Sequence, residues 1–135
     1  MGLFGTSASI LVDINLILQY ITLVLLIIGW VKKKPYKQHG YLMMVVLVIT
    51  LVTTIAIMAP SLLVTYETYG VTIVVHAVFG ITAMILGTLF AYRFIAAMRK
   101  GEPLLCGTKN LMRFAFLLWL IPILGGTVAY ISMYV

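Results

Sequence analysis

Three ionisable side chains interrupt otherwise apolar stretches of this chain: Asp13, His39 and His76. An ionisable group at the centre of a bilayer costs roughly 3 kcal/mol or more, so each of the three is a candidate for function. Histidine ligates haem iron and copper, and it carries protons near neutral pH. Asp13 and His76 lie at matching depths, so a hydrogen bond between them is expected to stabilise a buried charge and to relay a proton. Asn15 and Gln19 follow Asp13 on the same stretch and suit polar contacts between helices. Met58 is a candidate soft axial ligand for a haem held by His76. Met43, Met44, Met112 and Cys106 are the soft groups near His39. His39, Cys106 and Met112 together could hold copper, and Lys109 and Arg113 could meet haem propionates beside them.

Each of these residues also has a plainer role. His39 at an interface suits a headgroup or loop-backbone contact. His76 suits a structural hydrogen bond across helices, and Asp13 with Asn15 and Gln19 suits polar glue within a bundle. The eight methionines suit irregular gaps in a core. A hydrolytic triad, a phosphate loop and a zinc-protease motif are all missing from the sequence, which argues against an enzyme.

The elements that position these residues follow from composition. Hydrophobic side chains make up 64% of the 135 residues and charged ones only 9%. Soluble domains carry about a quarter charged residues, so the natural solvent for this chain is a bilayer. Four apolar runs are each long enough to cross it: 10–30, 40–65, 71–94 and 111–135. The breaks fall at 32–38, 66–70 and 96–109. Short connections predict an all-α, up-down-up-down four-helix bundle in one transmembrane domain. Pro60 and Pro122 are expected to distort the second and fourth helices. Gly80, Ala83, Gly87 and Ala91 form a small-residue stripe on the third, and Gly125 and Gly126 a second small patch on the fourth; both allow close helix approach.

Orientation follows from the nine Lys and Arg residues. Lys32, Lys33, Lys34 and Lys37 belong to the first connection; Arg93, Arg99, Lys100, Lys109 and Arg113 lie in or beside the third. The positive-inside rule puts both connections in the cytoplasm and both termini on the other side of the cell membrane. The net charge of +6 then points to anionic lipid headgroups rather than nucleic acid. This course separates His39 from His76 by roughly 20–25 Å along the bilayer normal, too far to share one iron or one metal ion. A single cysteine excludes an internal disulfide.

The run Lys37-Gln38-His39-Gly40-Tyr41-Leu42-Met43, then His76 with Gly80, Lys109 with Leu111-Met112-Arg113, and Leu118-Trp119 with Gly125-Gly126 and Tyr130 resembles a small four-helix membrane family, the domain of unknown function four-twenty. That family is in turn similar to half of haem A synthase and, more loosely, to the membrane cytochromes b. The Met-rich, strongly apolar helices also resemble its archaeal members. The resemblance implies an accessory or assembly role in a membrane redox complex such as a haem-copper oxidase, with haem b or copper as the group handled. The haem-binding relatives use paired histidines, whereas this chain has one on each side, and Asn110 stands about where a partner for His39 would. Two alternatives remain: a b-type cytochrome with haem on His39 or His76, and a structural subunit without cofactor. Other membrane subunits or further copies of the chain are the expected partners.

Overall fold

The computed structural model is all-α. It describes residues 2–32, 34–103 and 109–135, with the side chains of all of these except 65, 66 and 69. The first helix, α1, is Ile10–Val31. Ser9 caps it, its hydroxyl accepting the Val12 N–H at 3.4 Å. Helical hydrogen bonding resumes at Tyr36 and runs to Thr53, widens over Thr54–Met58, and continues over Ala59–Lys100. Gly70 interrupts the long run with φ +35° and ψ −104°, a backbone that a residue with a Cβ rarely adopts. Two membrane-length helices result: α2 (Tyr36–Val64) and α3 (Gly70–Lys100). The last helix, α4, is Lys109–Tyr134, and all four are long and apolar enough to cross a membrane.

The helices outrun the expected apolar windows at their charged ends. α2 begins at Tyr36 rather than 40, and α3 continues past 94 to Lys100. Long basic side chains lay their methylene stems along the apolar surface and so belong comfortably to a helix. Arg99 and Lys100 also sit in the last turn of α3, where unpaired carbonyls favour cations. Gly101 stops the helix in the left-handed conformation (φ +67°), its N–H directed at the Ala97 and Met98 carbonyls. The expected 66–70 turn reduces to the single distorted residue Gly70.

The widened segment Thr54–Met58 is a π turn, in which the Ala59 N–H reaches the Thr54 carbonyl. The next residue, Pro60, has no N–H to donate, and its ring crowds the carbonyl four residues back. One extra residue in the turn relieves that clash. Ser61 donates its hydroxyl to the Ile57 carbonyl at 2.8 Å and so satisfies one of the displaced acceptors. Pro122 lies inside α4, which continues through it as a helix without a π turn.

Each helix packs on its neighbour in sequence, and α4 returns to α1. The core is Leu26, Val46, Leu47, Ala83, Leu118, Trp119 and Ile123. The Trp119 indole N–H crosses the core to the Thr50 hydroxyl at 3.2 Å. The small-residue stripe of α3 faces inward. Ala83 is core, Ala91 packs on the core, and a Cβ on Gly87 would come within 2.6 Å of the Trp119 ring. Ala83, Gly87 and Ala91 thus serve contacts within the chain. The outer surface is apolar, with Leu63, Val71, Ile85 and Val128 among its exposed side chains.

Contacts define two ends. At one, Trp30 packs on Phe116 with ring centroids 4.7 Å apart, Arg113 sits 6.0 Å from the Trp30 ring, and Gly40 abuts Phe94. This basic end unites the end of α1, the start of α2, the end of α3 and the start of α4. At the other, Ser7 bonds to the Tyr134 carbonyl through its N–H (3.4 Å) and its hydroxyl (3.2 Å). The segment before α1 is thereby tied to the last turn of α4, forming a terminal end.

Candidate functional site

Asp13 is the most completely enclosed polar side chain at the terminal end, with no exposed surface. One carboxylate oxygen accepts the Tyr130 hydroxyl at 2.6 Å; the other accepts the Leu3 N–H at 2.5 Å. Tyr130 in turn accepts from Thr6, 2.9 Å away. Gly2 lies so close to the carboxylate that a Cβ there would overlap it. The segment 2–9 therefore folds back over the helix ends and is pinned by a buried carboxyl group. The expected Asp13–His76 hydrogen bond does not form. Both oxygens are directed at other donors, and the backbone N–H that the chain folds back is the nearer partner.

His76 stands deeper, against the glycine pair of α4. A Cβ on Gly126 would lie 3.5 Å from its Cε1, and one on Gly125 would lie 3.9 Å from its Nδ1. The His76 ring makes no hydrogen bond to any described residue. It opens onto a cleft of about 310 Å³ lined by residues of all four helices in the terminal half. Asn15 and Gln19 of α1, Met58 of the π turn and Trp119 of α4 share its wall. Gly80 of α3 borders it, with open space where a side chain would project. The Asn15 carbonyl oxygen is buried and has no donor among the described residues. No charged side chain among the described residues lines the cavity.

The candidate residues thus fall into two groups. Asn15, Gln19, Met58 and His76 meet around one cavity, with Asp13 just beyond its lining. The Met58 sulfur accepts the Thr54 hydroxyl at 3.8 Å, which occupies part of its ligating capacity. His39 belongs to the basic end: it is buried, and its neighbour Gly40 packs against Phe94. Lys109 is exposed there at the start of α4, Met112 is half-buried and Arg113 leans over Trp30. Cys106 lies outside the described residues. Among the described residues, His, Cys, Asp and Glu form no group of three or more able to hold a metal ion.

Residues that composition does not single out complete the site. Tyr130 holds Asp13 and Thr6 holds Tyr130, Thr50 holds Trp119, and Thr127 meets the Tyr20 hydroxyl at 3.0 Å. Tyr130 has one legible signal: it lies about as far from the end of α4 as Asp13 lies from the start of α1. Neither family models, nor curated proteins, nor solved structures give a match to this chain.

Proposed function

We propose that this chain is a small, non-catalytic subunit of a membrane redox complex, serving its assembly or operation by holding a small molecule within the membrane. The observation that carries this reading is the cavity of the terminal half, with His76, Asn15 and Gln19 on its wall. Four membrane-length helices need no cavity bearing an imidazole and two amides merely to span a bilayer. An up-down-up-down course with both termini on the non-cytoplasmic side belongs to the same proposal. Its support is the pairing of Asp13 with Tyr130 and of Trp30 with Phe116 at opposite ends of α1 and α4, together with the basic residues gathered at one end. Haem-copper oxidases are the host complex that the family resemblance favours.

A second reading, a b-type cytochrome, is favoured by His76 and Met58 lining the same cavity. One imidazole and one thioether are a workable axial pair for haem. Lys109 and Arg113 belong to the basic end and are no propionate partners for such a haem. A haem or copper on His39 would draw instead on the basic end.

Purification in mild detergent tests both readings. Under the first, the chain co-purifies with subunits of a membrane oxidase, and its deletion lowers the amount of assembled oxidase. A chain that migrates alone, with oxidase levels unchanged by its deletion, refutes it. Under the second, a reduced-minus-oxidised spectrum shows a Soret band that His76→Ala removes; a colourless wild-type protein rules it out.

A further inference from the structure

We propose that the terminal-half cavity binds a neutral, lipid-soluble molecule whose head is a hydroxylated aromatic ring, of the phenol or quinol class. The inference rests on the first functional reading, that this cavity holds a ligand, and not on haem.

Four observations select that class. The cavity lies between membrane-length helices, so its ligand arrives from the lipid phase and must be largely apolar. No Lys or Arg among the described residues lines it, so a carboxylate or phosphate head would be buried without a counter-charge. Asn15 and Gln19 bring side-chain amides to the wall, which suits a ligand with a polar head on an apolar body. The His76 ring makes no hydrogen bond to a described residue, yet offers a neutral ligand both a donor and an acceptor nitrogen. A hydroxyl can donate to the bare imidazole nitrogen of His76 or accept from the protonated one, whereas a ketone can only accept and a hydrocarbon can do neither. A ring is favoured over an aliphatic alcohol because His76, Trp119, Tyr130 and Tyr134 put aromatic surface on the wall. A volume of about 310 Å³ suits one substituted ring with part of a tail.

The glycines make the slot beside His76. Gly80 leaves open space on α3, and Gly126 puts only backbone against the imidazole on α4. Gly80 therefore offers a variant that fills the site without straining the fold. Leucine at that position projects into the cavity rather than into a neighbour.

The test uses the full chain in detergent micelles. Tetramethyl-1,4-benzenediol, kept reduced, is compared with 1,2,4,5-tetramethylbenzene, its hydroxyl-free counterpart, and with 1-octanol. Binding is followed by thermal shift and by Trp119 fluorescence in a Trp30→Phe background. The diol is expected to bind at least about fivefold more tightly than either comparison molecule, the contribution of one well-placed hydrogen bond. Asn15→Leu and His76→Phe each reduce that preference, and Gly80→Leu abolishes binding while leaving the protein at least as thermostable as wild type. Equal binding of diol and hydrocarbon overturns the proposal, as does equal binding of 1-octanol. Undiminished diol binding in Gly80→Leu overturns it even if the other variants fail to fold. A Soret band removed by His76→Ala assigns the cavity to haem and also overturns it, whereas failure to co-purify with an oxidase bears only on the host complex.

Discussion

Replacing Asp13 by alanine tests how the terminal end is closed. The carboxylate accepts two hydrogen bonds, one from Tyr130 and one from the Leu3 N–H. The two donors respond differently to its loss. Tyr130 has Thr6 at 2.9 Å and can turn its hydroxyl towards that oxygen. The Leu3 N–H has no comparable substitute, so the segment 2–9 loses the bond that pins it. Leaving an enclosed donor without its acceptor costs about 1–3 kcal/mol. At about 1.4 kcal/mol per factor of ten, detachment of the segment should become roughly 10- to 100-fold more frequent. The ties that remain, Thr6 to Tyr130 at 2.9 Å and Ser7 to the Tyr134 carbonyl, hold residues 6 and 7, so the detachment is centred on residues 2–5.

Hydrogen exchange read by mass spectrometry on the N-terminal peptide measures that frequency directly. Protection at Leu3 should fall by one to two orders of magnitude in Asp13→Ala, while the amides of mid-α1 keep theirs. Asp13→Asn should lie between, since its amide can accept from one donor but must face the other with an N–H. Global stability should drop less than the local effect suggests, because removing a buried carboxylate also removes its desolvation cost. If Leu3 exchanges at the same rate in all three proteins, the carboxylate does not pin the segment and the closure of this end must be sought elsewhere.

Three further outcomes follow from the packing. Gly87→Ala should destabilise the protein by about 1–3 kcal/mol, because its Cβ meets the Trp119 ring and Leu47, whereas Gly80→Ala should be close to neutral; detergent-micelle thermal unfolding separates the pair. Trp119→Phe should cost about 1 kcal/mol beyond its lost area by removing the hydrogen bond to Thr50, and adding Thr50→Val should cost little more, which a double-mutant cycle checks. In a Cys106→Ser background, an impermeant maleimide added to intact cells should label Ser7→Cys and Thr68→Cys but not Glu102→Cys; the reverse pattern inverts the proposed orientation.

The spans are legible in the sequence because lipid demands one thing of a segment, about twenty apolar residues, and four runs meet it. Their ends are less legible for a physical reason. Lys37, Arg93 and Arg99 look like breaks in a hydropathy profile, yet a basic residue keeps its backbone helical and extends its charge towards the interface. Hydropathy spreads the second turn over five residues, when a single glycine with positive φ suffices. Pro60 predicts a disturbance but not its form as a π turn. Whether a proline kinks a helix or widens it depends on neighbours that the local sequence does not name.

The site divides along the same line. Asn15, Gln19 and His76 announce themselves as polar groups in lipid, and their meeting around one cavity follows from helices presenting them at similar depth. The partner of Asp13 is hidden because part of it is not a side chain of the bundle at all. It is the backbone of the segment 2–9, which carries no hydropathy signal and reads as a tail. The small residues of α3 are visible as a stripe, but the stripe has two uses that composition cannot separate. Gly87 and Ala83 bring α4 close through Trp119, while Gly80, nearer the terminal end, meets nothing within 4 Å.

That contrast bears on why the cavity exists. A bundle selected only for packing would fill the space beside Gly80, since a larger apolar residue there gains contacts at no steric cost. The surrounding irregularities act in the same direction. The π turn of α2 widens the helix where Met58 and Ser61 line the cavity, and Pro122 lies on the opposite wall. A π turn, a proline within a helix, one unfilled glycine and an imidazole without a hydrogen bond to a described residue thus converge on a single volume, while the half of the bundle around Leu26, Leu47 and Leu118 is packed conventionally. Local rules are broken together where function compensates for the loss. The terminal half of the bundle, rather than either histidine taken alone, is therefore where the proposed function of this protein resides.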